Sequence, residues 1–251
     1  DGTLLDNVSK SIPQSAIDAL EEAHKTTEIV IATGRAKYTL DAIQPIRHLI
    51  DYYVLINGQY IMDNNKVLYQ NPMPKEQLQE IVEQLNKKKL AFGFQGADTE
   101  GINFHDEYTR KVFTNLDLDR PKINPTFYLQ KDVFQMWVFG KEEDVLDVAP
   151  LFPQLQFIKW LNVGFDILEK GRSKGHGMQE LITLMEWEEK NIIAIGDGEN
   201  DYEMLKMAPL GIAMGNASER IKKASDFVTS SVSEDGLAKA IHQFILKGAS
   251  T

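Results

Sequence analysis

Three short apolar runs constrain the fold of this 251-residue chain more than any other feature. They occupy residues 28–32, 53–56 and 191–195, and none of them alternates polar with apolar side chains. A strand covered on both faces has no polar face, so such runs indicate buried strands of a parallel sheet. The helical patterns between and around them cover residues 13–25, 36–49, 174–189, 202–207 and 235–246. This order predicts an α/β fold, with a Rossmann-like parallel sheet, helices on both faces and right-handed crossovers.

Local signals refine two of the helix predictions. Ser11 is the candidate N-cap of the first helix, and Pro13 suits its first turn because proline has no N–H to leave unpaired. Pro45 lies inside the second predicted helix, where it removes a hydrogen bond and predicts a break or kink.

The middle of the chain has a different pattern. Residues 74–89 form an amphipathic helix, and the segments after it are strand-like at 90–94, 101–105, 134–139, 156–160 and 165–168, and helix-like at 142–149. Short strands mixed with helices predict an α+β unit inserted into the parallel-sheet domain. We therefore expect a core of residues 1–72 plus 171–251 and an inserted α+β cap of residues 73–170. A cap joined by two crossings can open and close over a ligand as a specificity lid.

The composition excludes several classes of partner. Acidic residues outnumber basic ones by 37 to 27, and this net charge of −10 gives no counterion-release drive to bind nucleic acid. The absence of cysteine excludes disulfides and thiolate metal sites, and it fits a cytoplasmic protein. No apolar run reaches the roughly 20 residues that span a bilayer, so we expect no membrane partner. The expected assembly is a monomer or a weak homo-oligomer.

Polar residues follow each of the three apolar runs. Residues 33–35 follow the first, 57–58 the second and 197–201 the third, while residues 1–3 resemble the exit of a further strand. Parallel strands present their carboxyl ends at one edge of a sheet, where open α/β proteins bind ligands. We expect these segments to line one crevice.

The side chains expected in that crevice suit phosphoryl transfer. Asp197 and Asp201 are hard oxygen ligands of the kind that Mg²⁺ prefers. Thr33 has a hydroxyl and a backbone N–H that can hold a phosphate oxygen. Lys174 adds a positive charge at the start of a helix, where free N–H groups also favour anions. These are the groups that stabilise a phosphoryl group in transfer.

Each of these residues also has a structural interpretation. The two acids suit the N-cap and first turn of the helix at 202–207, and the lysine suits a solvated surface. Arg35 fits a structural ion pair as well as a functional contact. Asn57 and Gly58 form a common turn pair, to which we assign a supporting role at the substrate mouth.

Four sequence motifs occur in an order that resembles the haloacid dehalogenase-like phosphatases. They are DGTLLD at 1–6, IATGR at 31–35, GRSKG at 171–175 and IGDGENDYEML at 195–205. Further stretches resemble the Cof-type sugar-phosphatase group, namely INGQYI at 56–61, GIAMGNA at 211–217 and SEDGLAKAI at 233–241. The full first motif of the family is D-x-D-G-T, so the resemblance implies an aspartate two positions before Asp1.

The resemblance implies a Mg²⁺-dependent phosphatase that acts on a small phosphorylated metabolite, with a sugar phosphate as the expected substrate. The upstream aspartate would form an aspartyl-phosphate, and Asp1 would act as general acid and then general base. Asp1, through its backbone carbonyl, and Asp197 would hold the metal with the nucleophile, and Asp201 would assist them. The residues implied to bind phosphoryl oxygens are Thr33, Gly34, Lys174 and Asn200.

Two other functions are compatible with the same motifs. A phosphotransferase or phosphomutase would pass the phosphoryl group to an acceptor other than water. A non-catalytic binding protein would follow if the residue two positions before Asp1 were not an aspartate.

Overall fold

The computed structural model describes residues 1–6, 8–115 and 118–246, apart from the side chains of residues 160 and 161. Residues 7 and 247–251 of the predicted core and residues 116 and 117 of the predicted cap lie outside the described residues. The strands are β1 Val30–Ala32, β2 Tyr52–Leu55, β3 Tyr60–Asp63, β4 Val67–Gln70, β5 Ala91–Gln95, β6 Glu100–Ile102, β7 Gln135–Phe139, β8 Leu155–Leu161, β9 Gly164–Glu169, β10 Ile193–Gly196, β11 Leu210–Ala213 and β12 Phe227–Val228.

The α-helices are short, and all but the first and the last lie between these strands. They are α1 Gln14–Ala23, α2 Lys75–Lys87, α3 Glu107–Asn115, α4 Phe127–Gln130, α5 Glu142–Leu146, α6 Lys174–Leu184, α7 Tyr202–Met207, α8 Glu219–Ala224 and α9 Gly236–Ile241. The 3₁₀ segments are Lys37–Leu49, Ile56–Gly58, Ala149–Leu151, Glu189–Asn191, Glu199–Asp201 and Val232–Glu234, and a π-helical turn spans His242–Leu246.

The chain divides into two compact units. The first unit comprises residues 1–35, 39–69 and 173 onward, and the second comprises residues 36–38 and 70–172. The functional division into a catalytic core and a specificity lid stays a prediction.

Two sheets build the first unit. The strand orders are β1-β2-β3-β4 and β10-β11-β12. Val30 pairs with Tyr52 and Ile193 with Leu210, in parallel in both cases, and β11 and β12 are also parallel. The predicted parallel pairing is therefore confirmed for the runs at β1 and β2, whereas the run at β10 pairs in parallel with β11 in a separate sheet. Strand β3 departs from it, because it turns back and pairs antiparallel with β2.

A cavity of about 690 Å³ lies inside the first unit. Strands β1 and β10 both line it although they belong to separate sheets, and helices α1, α6, α7 and α9 contribute apolar side chains to its walls. Asp1, Thr33 and Asp197 also line the cavity. It therefore extends to the carboxyl ends of both strands.

The second unit contains the predicted α+β insert. Its five-stranded sheet has the order β6-β5-β7-β9-β8, with antiparallel neighbours throughout. Helix α2 packs Leu78, Ile81 and Leu85 against buried residues of β5, β7 and β9, which include Phe94 and Met136. The period of the apolar residues in α2 thus matches its buried face.

Several local predictions differ from the structure. Helix α1 begins at Gln14 and has no side-chain cap, so the prediction for Ser11 is wrong, and its hydroxyl lies 2.8 Å from that of Ser9. The predicted helix at 36–49 is a 3₁₀ run with a non-helical residue at Thr39, and it includes Pro45, which cannot donate an i→i−4 bond. The helix predicted to reach residue 189 ends at Leu184.

Candidate active site

Polar residues gather where the strands of the first unit end. Residues 33–35 follow β1, residues 197–201 follow β10, and Lys174 is the first residue of α6. The side chain of Ser173 caps α6 by accepting a hydrogen bond from the His176 N–H at 3.2 Å. The cap fixes the start of the helix and, with it, the backbone of Lys174.

A buried ion pair joins two of the predicted residues. The ammonium of Lys174 donates to Asp201 Oδ1 at 2.6 Å, and both side chains are less than a tenth exposed. Asp201 Oδ2 accepts from the backbone N–H groups of Asp197 and Gly198 at 3.0 and 2.9 Å. Both oxygens of Asp201 are thus engaged within the protein. Its structural role in the loop is established, while direct metal binding by Asp201 stays a prediction.

Asp197 lies in a polar cluster that the sequence did not fully reveal. Its Oδ1 accepts from the Thr3 hydroxyl at 2.6 Å, and its Oδ2 from the Asn216 amide at 3.2 Å. The same Asn216 amide nitrogen donates to the Gly2 carbonyl at 2.9 Å. Neither Thr3 nor Asn216 was predicted as a site residue. Their only signal was membership in the DGTLLD and GIAMGNA stretches.

The chemistry of Asp197 fits a divalent cation. Burial raises the pKa of Asp197, and the Thr3 hydrogen bond opposes that rise. A desolvated carboxylate is stabilised by a nearby cation, and carboxylate oxygens are the donors that Mg²⁺ prefers. Within the described ranges, no group of three or more His, Cys, Asp or Glu side chains is placed to hold a metal. Further oxygen donors would therefore have to complete a metal site around Asp197.

Arg35 forms the ion pair that its sequence context allowed, and its partner is Asp1. The guanidinium donates through Nη2 to Asp1 Oδ1 and Oδ2 at 2.8 and 2.9 Å, and through Nε to Oδ2 at 3.2 Å. Its Nη1 donates to the Thr39 carbonyl at 3.4 Å. The fork of Arg35 thereby holds the Asp1 carboxylate in one orientation.

Thr33 offers less to a ligand than its residue type suggests. Its backbone N–H donates to the Val54 carbonyl at 2.9 Å, as part of the contact between the two parallel strands. The prediction that this N–H can hold a phosphate oxygen is therefore wrong. The Thr33 hydroxyl accepts from the Arg35 N–H at 3.1 Å and retains its own proton for donation.

The remaining predicted residues lie next to one another. Asn57 and Gly58 form the predicted turn after β2, and both are buried. The Asn200 amide donates to Asn57 Oδ1 at 2.9 Å. The fourth motif and the turn after β2 thus meet at one place in the first unit.

These residues occur in a chain whose sequence matches a known protein family. The sequence model of the haloacid dehalogenase-like hydrolases matches residues 1–241. The chain belongs to this family. It is 31% identical to YkrA of Bacillus subtilis (strain 168) over 246 residues, which are 97% of this chain and 94% of that protein.

Two further comparisons concern proteins of named activity. The chain is 27% identical to the pyridoxal phosphate phosphatase YbhA of Escherichia coli (strain K12) over 272 residues, with 98% of this chain and 96% of the relative covered. The solved structure of the sugar phosphatase BT4131 superposes with a TM-score of 0.88 at 34% identity, covering 97% and 96% of the two chains. The chain is accordingly a phosphatase of the haloacid dehalogenase-like family. Its substrate is a small phosphorylated molecule.

Across the part of the chain that the structure describes, no helix combines the length and apolarity needed to cross a bilayer.

Proposed function

We propose that this phosphatase hydrolyses a small metabolite, with a sugar phosphate as its first candidate, by a Mg²⁺-dependent aspartyl-phosphate mechanism. The observation that carries the proposal is the buried Lys174–Asp201 ion pair, whose aspartate binds the backbone of the loop that carries the desolvated Asp197. Lys174 would provide positive charge for the phosphoryl group, and the Asp197 carboxylate would hold a cation that provides more.

The proposed nucleophile is an aspartate two positions before Asp1. Asp1 lines the same cavity as Lys174 and Asp197. Residues bonded to the Asp1 nitrogen would therefore begin among the charged groups of the site. The cavity between β1 and β10 supports the same proposal, since an apolar strand that leads to Asp1 would fill it and pair with both edges.

The residues of the chain then divide the reaction between them. Asp1 gives a proton to the leaving oxygen and later takes one from the water that hydrolyses the aspartyl-phosphate. Lys174 neutralises charge on the phosphoryl oxygens, which the Thr33 hydroxyl, Gly34 and Asn200 also bind. Asp197, the Asp1 carbonyl and the upstream carboxylate would hold Mg²⁺, which would supply further charge neutralisation. The second unit is proposed to select the leaving group.

The test is turnover of a panel of phosphorylated metabolites by the protein that includes the residues before Asp1. We expect hydrolysis of at least one sugar phosphate with Mg²⁺, loss of that activity in a chelator, and recovery when Mg²⁺ is restored. Changing the upstream aspartate to asparagine should abolish turnover without unfolding the protein. Equal turnover in the chelator, or no turnover of any compound, would contradict the proposal.

Arg35 provides a second prediction, because it orients the proposed acid. Arg35→Gln is expected to slow an alkyl phosphate about tenfold more than 4-nitrophenyl phosphate, since nitrophenolate leaves without needing the Asp1 proton. Arg35→Lys keeps the charge but loses the two-pronged contact, so it should show an intermediate leaving-group dependence. Equal losses on both substrates would mean that Arg35 only supports the fold.

A further inference from the structure

The turn after β2 has an unusual backbone. Ile56, Asn57 and Gly58 have φ angles of +50°, +50° and +92°, so three consecutive residues occupy the left-handed region. Asparagine and glycine tolerate that region, whereas it is costly for a β-branched residue such as isoleucine. Strain of this kind persists only where surrounding contacts hold it, and it is often found at functional sites.

Contacts with the phosphate-binding segments hold this turn in place. The Ile56 N–H donates to the Arg35 carbonyl at 3.1 Å, and the Asn57 N–H donates to the Thr33 carbonyl at 3.1 Å. On its other side the turn approaches the start of α6 so closely that a Cβ added to Gly58 would lie 2.2 Å from the Ser173 carbonyl oxygen. The turn is therefore packed between the loop at 33–35 and the helix that begins with Lys174.

The side chain of Asn57 lies between two residues of the proposed phosphate site. It is 3% exposed, and its Oδ1 accepts the hydrogen bond from Asn200 Nδ2 at 2.9 Å. A Cβ added to Gly34 would lie 3.2 Å from the same oxygen. Because Asn57 Oδ1 can only accept hydrogen bonds, this contact requires Asn200 to turn its NH₂ group, and not its oxygen, toward Asn57. Among the contacts of the described residues, the second N–H of that group has no acceptor, so it can donate to a ligand.

We propose that Asn57 is a positioning residue, which sets the orientation of the Asn200 amide for contact with a phosphoryl oxygen. This inference rests on the proposed function, in which Asn200 binds the phosphoryl group. The strained turn has a role in this arrangement, since it places the Asn57 amide next to both Gly34 and Asn200.

A double-mutant cycle tests the inference with the full protein. Asn57→Gly keeps the left-handed backbone and removes the amide, so it should lower kcat/KM on the order of tenfold and weaken inhibition by inorganic phosphate similarly. In an Asn200→Ala background the same change should cost less than about twofold, because the amide that it positions is gone. Asn57→Asp keeps an accepting oxygen, so it should preserve the orientation of the Asn200 amide. It adds a negative charge next to the proposed phosphate site.

Lys89→Gly is the matched control, since Lys89 also has a left-handed φ of +56° and lies on an exposed surface in the second unit. It should leave kcat/KM and phosphate inhibition unchanged. Equal losses from Asn57→Gly in the wild-type and Asn200→Ala backgrounds would overturn the positioning role. Denaturant unfolding of each variant separates this result from a loss of folded protein. A wild-type protein without turnover would instead contradict the proposed function itself.

Discussion

Gly2→Ala is expected to lower kcat/KM on the order of 100-fold, because the new methyl group would displace the carboxylate of Asp197. Gly2 has a φ of +78°, and a Cβ built on it would lie 2.0 Å from Asp197 Oδ2. Asp197 would have to leave its hydrogen bonds with Thr3 and Asn216, and with them the position proposed for metal binding. The apparent affinity for Mg²⁺ should fall together with the turnover.

Gly171→Ala separates this displacement from simple backbone strain. Gly171 has nearly the same φ, +80°, but nothing lies within 4 Å of the position that its Cβ would take. Both variants incur the cost of a left-handed alanine, about 1–2 kcal/mol, and Gly2→Ala also loses the hydrogen bonds of Asp197, so Gly2→Ala should unfold at the lower denaturant concentration. Only Gly2→Ala should need more Mg²⁺ for half-maximal activity. The same Mg²⁺ requirement in both variants would show that Asp197 does not have to occupy its observed position.

The importance of Gly2 illustrates what the sequence reveals and what it hides. The motif order identified Asp197, Asp201 and Lys174, because their residue types and strand-end positions are local features. Gly2 and Asp197 lie close together in the fold, although one is near the start of the 251-residue chain and the other is in its last quarter. No local pattern encodes such a contact, and the same holds for Asn216, which reaches Asp197 from the end of another strand.

Backbone hydrogen bonding explains two further differences at the site. Residue type indicated that Thr33 could use its N–H for phosphate, but pairing between β1 and β2 already uses that group. Asp201 was expected to assist metal binding or to cap the following helix. It does not cap α7 but binds Lys174 and two N–H groups of its own loop, while its role in metal binding stays a prediction. Hydrogen-bond partners depend on which segments pair, and that is a property of the assembled sheet.

The fold was predictable where burial dominates the sequence. The runs at β1, β2 and β10 are apolar because they contribute side chains to one hydrophobic cluster, and α2 has a clear amphipathic period. Strand β4 is largely exposed or half-buried, and β12 has only two residues, so neither produces a pattern strong enough to predict. The 3₁₀ run at Lys37–Leu49 has an apolar face like that of an α-helix, and Pro45 was its one local warning.

Lys174→Met is expected to lower kcat about 10²–10³-fold, because it removes a positive charge from the site of phosphoryl transfer. It should also lower the free energy of unfolding by about 3–5 kcal/mol, since Asp201 would be left buried without its ion-pair partner. Denaturant unfolding measures the second effect independently of activity. Lys190→Met is the matched control, because Lys190 pairs at 2.9 Å with Glu188 where both side chains are well exposed, and it should cost less than about 1 kcal/mol.

The double variant Lys174→Met/Asp201→Asn distinguishes the two roles of the lysine. Replacing the unpaired carboxylate with a neutral amide removes the buried charge, and the amide oxygen can still accept from the N–H groups of Asp197 and Gly198. We therefore expect stability to recover by more than half of the Lys174→Met loss while kcat stays low. Recovery of activity along with stability would mean that Lys174 acts only through the fold. If the double variant stays unstable, Lys174 stabilises the fold through the packing of its side chain and not only through its charge.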